Sequence, residues 1–100
     1  MLYSILDITD QSIKDKLVKT CDDQPFIARA PMVWIFVADY QRWHDYFAHS
    51  GADTLSSEPM RKPEEGDLFL ACSDTLIAAQ NAVIAAESFG LGSCYIGDIM

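Results

Sequence analysis

The sequence predicts a mixed α/β domain organised around one long, buried, alanine-rich helix. Three features predict it: an apolar run at residues 30–38, an amphipathic stripe at residues 13–21, and residues 67–89, which lack proline and glycine. Residues 3–8 alternate loosely and suit a short strand, with Ser4, Leu6 and Ile8 on one face. Thr9-Asp10 then offers N-cap side chains. In the helix that follows, Ile13, Leu17, Val18 and Cys21 form an apolar stripe, while Lys14, Asp15, Lys16 and Lys19 take the wet side. Residues 24–30 read as a connector with a helical turn after Pro25. Residues 30–38 are unbroken apolar and rich in β-branched and aromatic types, which predicts a strand buried on both faces with Pro31 tolerated near its start.

Asp39 marks the polar exit of that strand. Tyr40, Trp43 and Phe47 then recur at i, i+3 and i+7, giving a helix over about residues 40–48. Gly51, Pro59 and Pro63 make residues 49–65 a loop. Pro63-Glu64-Glu65 is a helix start, with proline near N1 and acids in the first turn. Gly90 supplies the C′ stop. Leu68, Phe69, Leu70, Ala71, Leu76, Ile77 and the alanines up to Ala86 leave hardly any polar face, so this helix is expected to be covered on most sides, in part by a second subunit. Asp74, Gln80, Asn81 and Glu87 within it are expected to be paired across helices or subunits. Residues 91–99 read as a tight turn leading into a short strand.

Composition excludes several classes of function. One hundred residues make a single small domain, and a net charge of −8 without a basic stripe argues against nucleic acid or an anionic membrane as partner. The uninterrupted run at residues 30–38 is too short to span a bilayer, and Met1-Leu2-Tyr3-Ser4 lacks the basic start of a secretory signal, so a cytoplasmic protein is expected. Cys21, Cys72 and Cys94 form no CxxC pair and are expected to be buried free thiols; Cys94 has no basic neighbour to activate it. His44 and His49 lack metal-ligand spacing, and no Gly-x-Ser-x-Gly elbow occurs. Glu64 and Glu65 point to different helix faces. Gly90-Leu91-Gly92 follows a helix instead of a strand, the wrong order for a dinucleotide fingerprint, and reads as a helix C-cap. Tyr40, Trp43, Tyr46 and Phe47 read as core or lid packing, with a planar-substrate pocket as the lesser reading.

Three stretches, in this order and spacing, go further. They are Gln24-Pro25-Phe26-Ile27-Ala28-Arg29-Ala30-Pro31 before the apolar strand, Asp74-Thr75-Leu76-Ile77-Ala78-Ala79-Gln80-Asn81-Ala82, and Glu87-Ser88-Phe89-Gly90-Leu91-Gly92-Ser93-Cys94-Tyr95-Ile96-Gly97-Asp98-Ile99. Together they resemble the FMN-dependent nitroreductase and flavin reductase family, over nearly the whole chain. The resemblance implies an α+β fold with a mostly antiparallel sheet flanked by helices, of which residues 1–100 would form one partial domain. It also implies a homodimer with FMN at the subunit interface. NADH or NADPH would deliver hydride to flavin N5, and a small-molecule acceptor (a nitroaromatic, a quinone or a flavin) would collect the electrons in a ping-pong cycle.

Carried over residue by residue, the resemblance reaches Tyr95, Ile96, Gly97 and Asp98. They match the family segment that lies along one face of the flavin ring, with the Tyr95 and Ile96 side chains beside it and backbone N–H groups near Gly97 aimed at N5 and O4. Because the cofactor carries the hard chemistry, no catalytic acid, base or nucleophile is expected from the chain. The family's phosphate-gripping Arg/Ser segment would precede Met1 and its later basic residue would follow Met100; no Arg or Lys cluster replaces them. A non-catalytic dimerising module with an incomplete flavin site is therefore the competing expectation.

Overall fold

The computed structural model describes residues 1–97, apart from the side chain of Asp53. Strand β1 (Tyr3–Asp7) is followed by α1 (Gln11–Thr20), the one-turn α2 (Phe26–Arg29), β2 (Trp34–Ala38), α3 (Gln41–Ser50), a 3-10 turn (Ala52–Leu55) and α4 (Glu65–Ser88). β1 and β2 pair in a two-stranded sheet. The pairing is antiparallel: the Asp39 amide donates to the Leu2 carbonyl at one end and the Ile8 amide to the Val33 carbonyl at the other.

The described residues fall into two compact units. One comprises Met1–Ser4 with Phe36–Asn81, the other Ile5–Ile35 with the described part of Ala82–Met100.

In the second unit, the Asp10 carboxylate accepts the Ser12 amide at 2.7 Å and starts α1 where the sequence placed its cap. The helix ends in two successive left-handed residues, Asp22 (φ 55°) and Asp23 (φ 48°), and the Gln24 amide closes the turn on the Val18 carbonyl. α1 packs against α2. The buried side of α1 carries Cys21 as expected, but also Lys14, while Ile13 is exposed. That corrects the assignment of Lys14 to the wet side. Its long aliphatic stem is covered, and its ammonium donates to the carbonyls of Ala30 at 3.0 Å and Pro31 at 3.4 Å, groups left open where α2 ends. These same residues explain why β2 begins at Trp34 and not at Ala30: Ala30 closes α2 by donating to the Phe26 carbonyl.

β2 is not buried on both faces, as Trp34 and Val37 are exposed and only its middle is half-buried. Within the described residues the two-stranded sheet has too little beside it to cover a strand twice. At its ends polar pairs take over. Trp34 Nε1 donates to Asp7 in the second unit, and in the first unit Ser4 Oγ donates to Asp39, which also receives the Arg42 amide at the start of α3.

α3 carries Trp43, Tyr46 and Phe47 on neighbouring turns, with ring centroids 5.6–5.9 Å apart. Tyr46 and Phe47 are exposed, so the rings pack on one another and do not enter a core. Trp43 Nε1 donates to the Met1 carbonyl.

α4 is 24 residues long, and its buried positions are Asp67, Ala71, Thr75 and Ala79. They recur at i, i+4, i+8 and i+12, a single stripe. Leu68, Phe69, Leu70, Leu76, Ile77 and Ile84 are exposed, so the described residues of this chain do not themselves supply the cover expected on most sides. By length and composition alone α4 could cross a membrane, a possibility that counting unbroken apolar runs passes over because Ser73, Asp74, Thr75, Gln80 and Asn81 interrupt it. Asp74 is paired, but with the N-terminal main chain and not across helices or subunits as expected: it accepts the Leu2 amide, with the Met1 ammonium 4.0 Å away.

Candidate functional site

The residues singled out by resemblance follow the end of α4. Gly90 is left-handed (φ 77°), its amide donates to the Glu87 carbonyl, and the Leu91 amide donates to the Ala86 carbonyl. These two bonds make a Schellman motif, so Gly90-Leu91-Gly92 is the helix stop that its order implied. A glycine is required only at Gly90, since an L residue there sits in a disfavoured backbone region even though an added Cβ would meet nothing within 4 Å.

Residues 91–97 then run without helix or strand. The short strand expected here is not formed over the described residues, because the β1–β2 ladder does not extend to it. Tyr95 and Gly97 are exposed and Ile96 is half-covered. An ideal Cβ on Gly97 has no neighbouring atom within 4 Å, so the main chain there is open to a flat ligand. Asp98, the fourth residue carried over, lies outside the described residues, as does Ile99.

The chemistry available on this segment is narrow. It offers backbone N–H groups, an aromatic ring and an aliphatic side chain, with no Lys, Arg, His, Asp or Glu among residues 91–97. Such a surface holds a planar ring by contact area and by hydrogen bonds to its polar edge, and its ionisable groups are limited to the Cys94 thiol and the Tyr95 phenol. The main chain at Gly97 leaves space beside it, so nothing in the described residues obstructs a flat ring there. The phosphate of such a cofactor finds no cation on this segment.

Cys94 is exposed and its Sγ donates to the Tyr95 carbonyl at 3.5 Å, and Cys72 is exposed too, so of the three thiols only Cys21 is buried as expected. Among the described residues no three His, Cys, Asp or Glu side chains gather in a metal-binding group. His49 is engaged through Nδ1 with the Asp45 carbonyl at 2.7 Å.

A second polar centre, not among the residues expected from the sequence, lies in the first unit. Asp67 is buried at the third position of α4 and takes a bidentate contact from Arg61, at 2.5 and 2.6 Å. It also accepts the Glu64 amide at 2.9 Å. The guanidinium, then the Glu64 amide, hold its carboxyl down at about 2, with Tyr40 adding a further hydrogen bond, and Arg61 is raised in turn. Arg61, Glu64, Gly66, Asp67 and Leu70 line a shallow depression of about 260 Å³. An acid three residues after a helix start was the available signal.

Comparison with known proteins agrees with the fold. Residues 4–100 match the profile of the Nitroreductase family. The oxygen-insensitive NADPH nitroreductase of Salmonella typhimurium is 36% identical over 96 residues, covering 96% of this chain and 36% of that protein. The FMN reductase (NADPH) of Bacillus subtilis is 36% identical over 98 residues, 97% of this chain and 37% of the relative. The NfrA1 nitroreductase from B. subtilis superposes with a TM-score of 0.82 at 31% identity, covering 98% of this chain and 38% of that one. B. megaterium NfrA1 gives 0.77 at 36% identity over 97% and 38%. An α+β chain with the nitroreductase architecture is thus defined by sequence and structure alike. It belongs to the nitroreductase family. The chain spans little more than a third of the length of the relatives it matches.

Proposed function

We propose that the protein acts as an FMN-dependent NAD(P)H oxidoreductase in which Tyr95, Ile96, Gly97 and Asp98 lie along the flavin ring. The observation that carries this reading is the open main chain at Gly97, a few residues beyond a rigid helix stop. Two relatives support it by name, one as an oxygen-insensitive NADPH nitroreductase and one as an FMN reductase (NADPH). When bound, the flavin supplies two-electron transfer through N5, from NADH or NADPH to a nitroaromatic, quinone or flavin acceptor in a ping-pong cycle.

The chain's own residues have three tasks in this reading. The Schellman turn at Gly90 fixes where the segment leaves α4. Tyr95 and Ile96 offer apolar area to one side of a ring and keep water from it. The amide near Gly97 donates to the ring edge and favours negative charge there. The exposed leucines, isoleucines and phenylalanine of α4 favour pairing of two copies in a homodimer, and we infer a cytoplasmic location in which the helix is protein-covered, in keeping with its buried Asp67.

Purified protein should be yellow, with a flavin absorption band that bleaches when NADPH or NADH is added without oxygen. A colourless protein that ignores added FMN would remove the proposal and leave the non-catalytic dimerising module in its place.

A further inference from the structure

Residues 54–66 are all exposed. Among the described residues, no backbone hydrogen bond ties residues 56–63 to any element. Their side-chain bonds are local, Glu58 N to Ser56 Oγ at 3.2 Å and Arg61 Nη1 to the Lys62 carbonyl at 3.3 Å, with one exception, the Arg61–Asp67 pair. Pro59 and Pro63 stand four residues apart, each with its φ locked, so the piece between them, Met60-Arg61-Lys62, behaves as a short arm between two stiff joints.

We propose that residues 56–63 form a strap closed over the start of α4 by a single latch, the bidentate Arg61–Asp67 contact. The two partners are unequal. Asp67 is anchored, being buried, on a helix and bonded also to the Glu64 amide, whereas the Arg61 side chain is 61% exposed on the strap. Release therefore moves Arg61 and leaves Asp67 capping α4. It also removes the Arg61 wall from the depression lined by Glu64, Gly66 and Leu70. The planar guanidinium is essential, because a lysine ammonium presents a point charge that cannot engage both carboxylate oxygens in a fixed plane. The device is independent of whether a flavin binds.

Backbone ¹⁵N relaxation on the full chain tests it, comparing the native protein with Arg61→Ala and Arg61→Lys. In the native protein the order parameters of Met60 and Lys62 should match those of α3, near about 0.85. In Arg61→Ala they should fall below about 0.6 while Ala71, Thr75 and Ala79 stay unchanged. Unchanged values at Met60 and Lys62 overturn the latch. If Arg61→Ala loses its dispersed spectrum, the same split between strap and helix is required of Arg61→Lys, and equal loosening of both in that variant overturns the latch as well.

Discussion

The two ends of α4 are secured by different physics. Its start is held by side chains, with a buried carboxylate accepting the Glu64 amide and gripped by Arg61. Its finish is held mainly by main chain, through a left-handed glycine and two backbone bonds, with the Ser88 hydroxyl donating to the Ala85 carbonyl in the last turn. A fastening made of charge can be released by competing ions, a changed side chain or acid. One made of backbone geometry yields only to the residue at Gly90. The proposed flavin segment follows the second kind of end and the strap precedes the first, so a backbone turn fixes where the one begins and a side-chain contact holds the other.

The predictions probe this contrast in order of size. Between the two ends lies the buried stripe, where Ala71 is 1% exposed. Ala71→Leu should cost about 1–3 kcal/mol of stability by overpacking, read from urea unfolding. An unchanged midpoint would mean that the stripe is not packed. Gly90→Ala should cost about 1–2 kcal/mol, because the added Cβ meets open space and only the left-handed backbone resists it. Gly97→Val should leave stability alone and weaken FMN retention roughly tenfold, about 1.4 kcal/mol, in a fluorescence titration. Arg61→Ala should leave that titration unchanged, which separates the two ends by function.

Smaller still is the effect at Asp23, left-handed like Gly90 but with a side chain. Asp23→Gly should stabilise the protein by about 0.5–1 kcal/mol, the gain from relieved backbone strain exceeding the added chain entropy. At neutral pH the last prediction is silent. The Asp67 carboxyl is depressed from 3.8 to about 2, so its contribution to stability is complete above 3.8 and disappears as the pH falls through 2. The difference in Tm between native protein and Asp67→Asn should therefore be constant from pH 7 to about 5 and shrink between about 4 and 2. A gap that persists at pH 2 would show that the latch does not depend on the ionised acid.

Local signals were legible wherever a short-range rule decides the outcome. Asp10 caps α1, Pro63-Glu64-Glu65 opens α4, and Gly90 ends it, since each depends on neighbours within four residues. Lys14 was not legible, because its acceptors at Ala30 and Pro31 lie 16 and 17 residues away and its stem counts as polar in any pattern. The Arg61–Asp67 pair hid for a related reason, with one partner in a featureless loop and the other one of three acids at the helix start, of which no local pattern marks Asp67 as the buried one. Exposure on β2 and α4 departed from expectation because periodicity reports which face wants cover, not whether the same chain supplies it. The proposed site was visible only by resemblance, since Tyr95, Ile96 and Gly97 would act through main chain and contact area and carry no titratable pattern.

The molecule's two indoles have a practical consequence. Trp34 is bonded to Asp7 within one compact unit and Trp43 to the Met1 carbonyl within the other. With only two tryptophans in the chain, replacing either by phenylalanine leaves a fluorophore that reports on a single unit. The pair of emission-detected melts would reveal whether the halves come apart together or in succession.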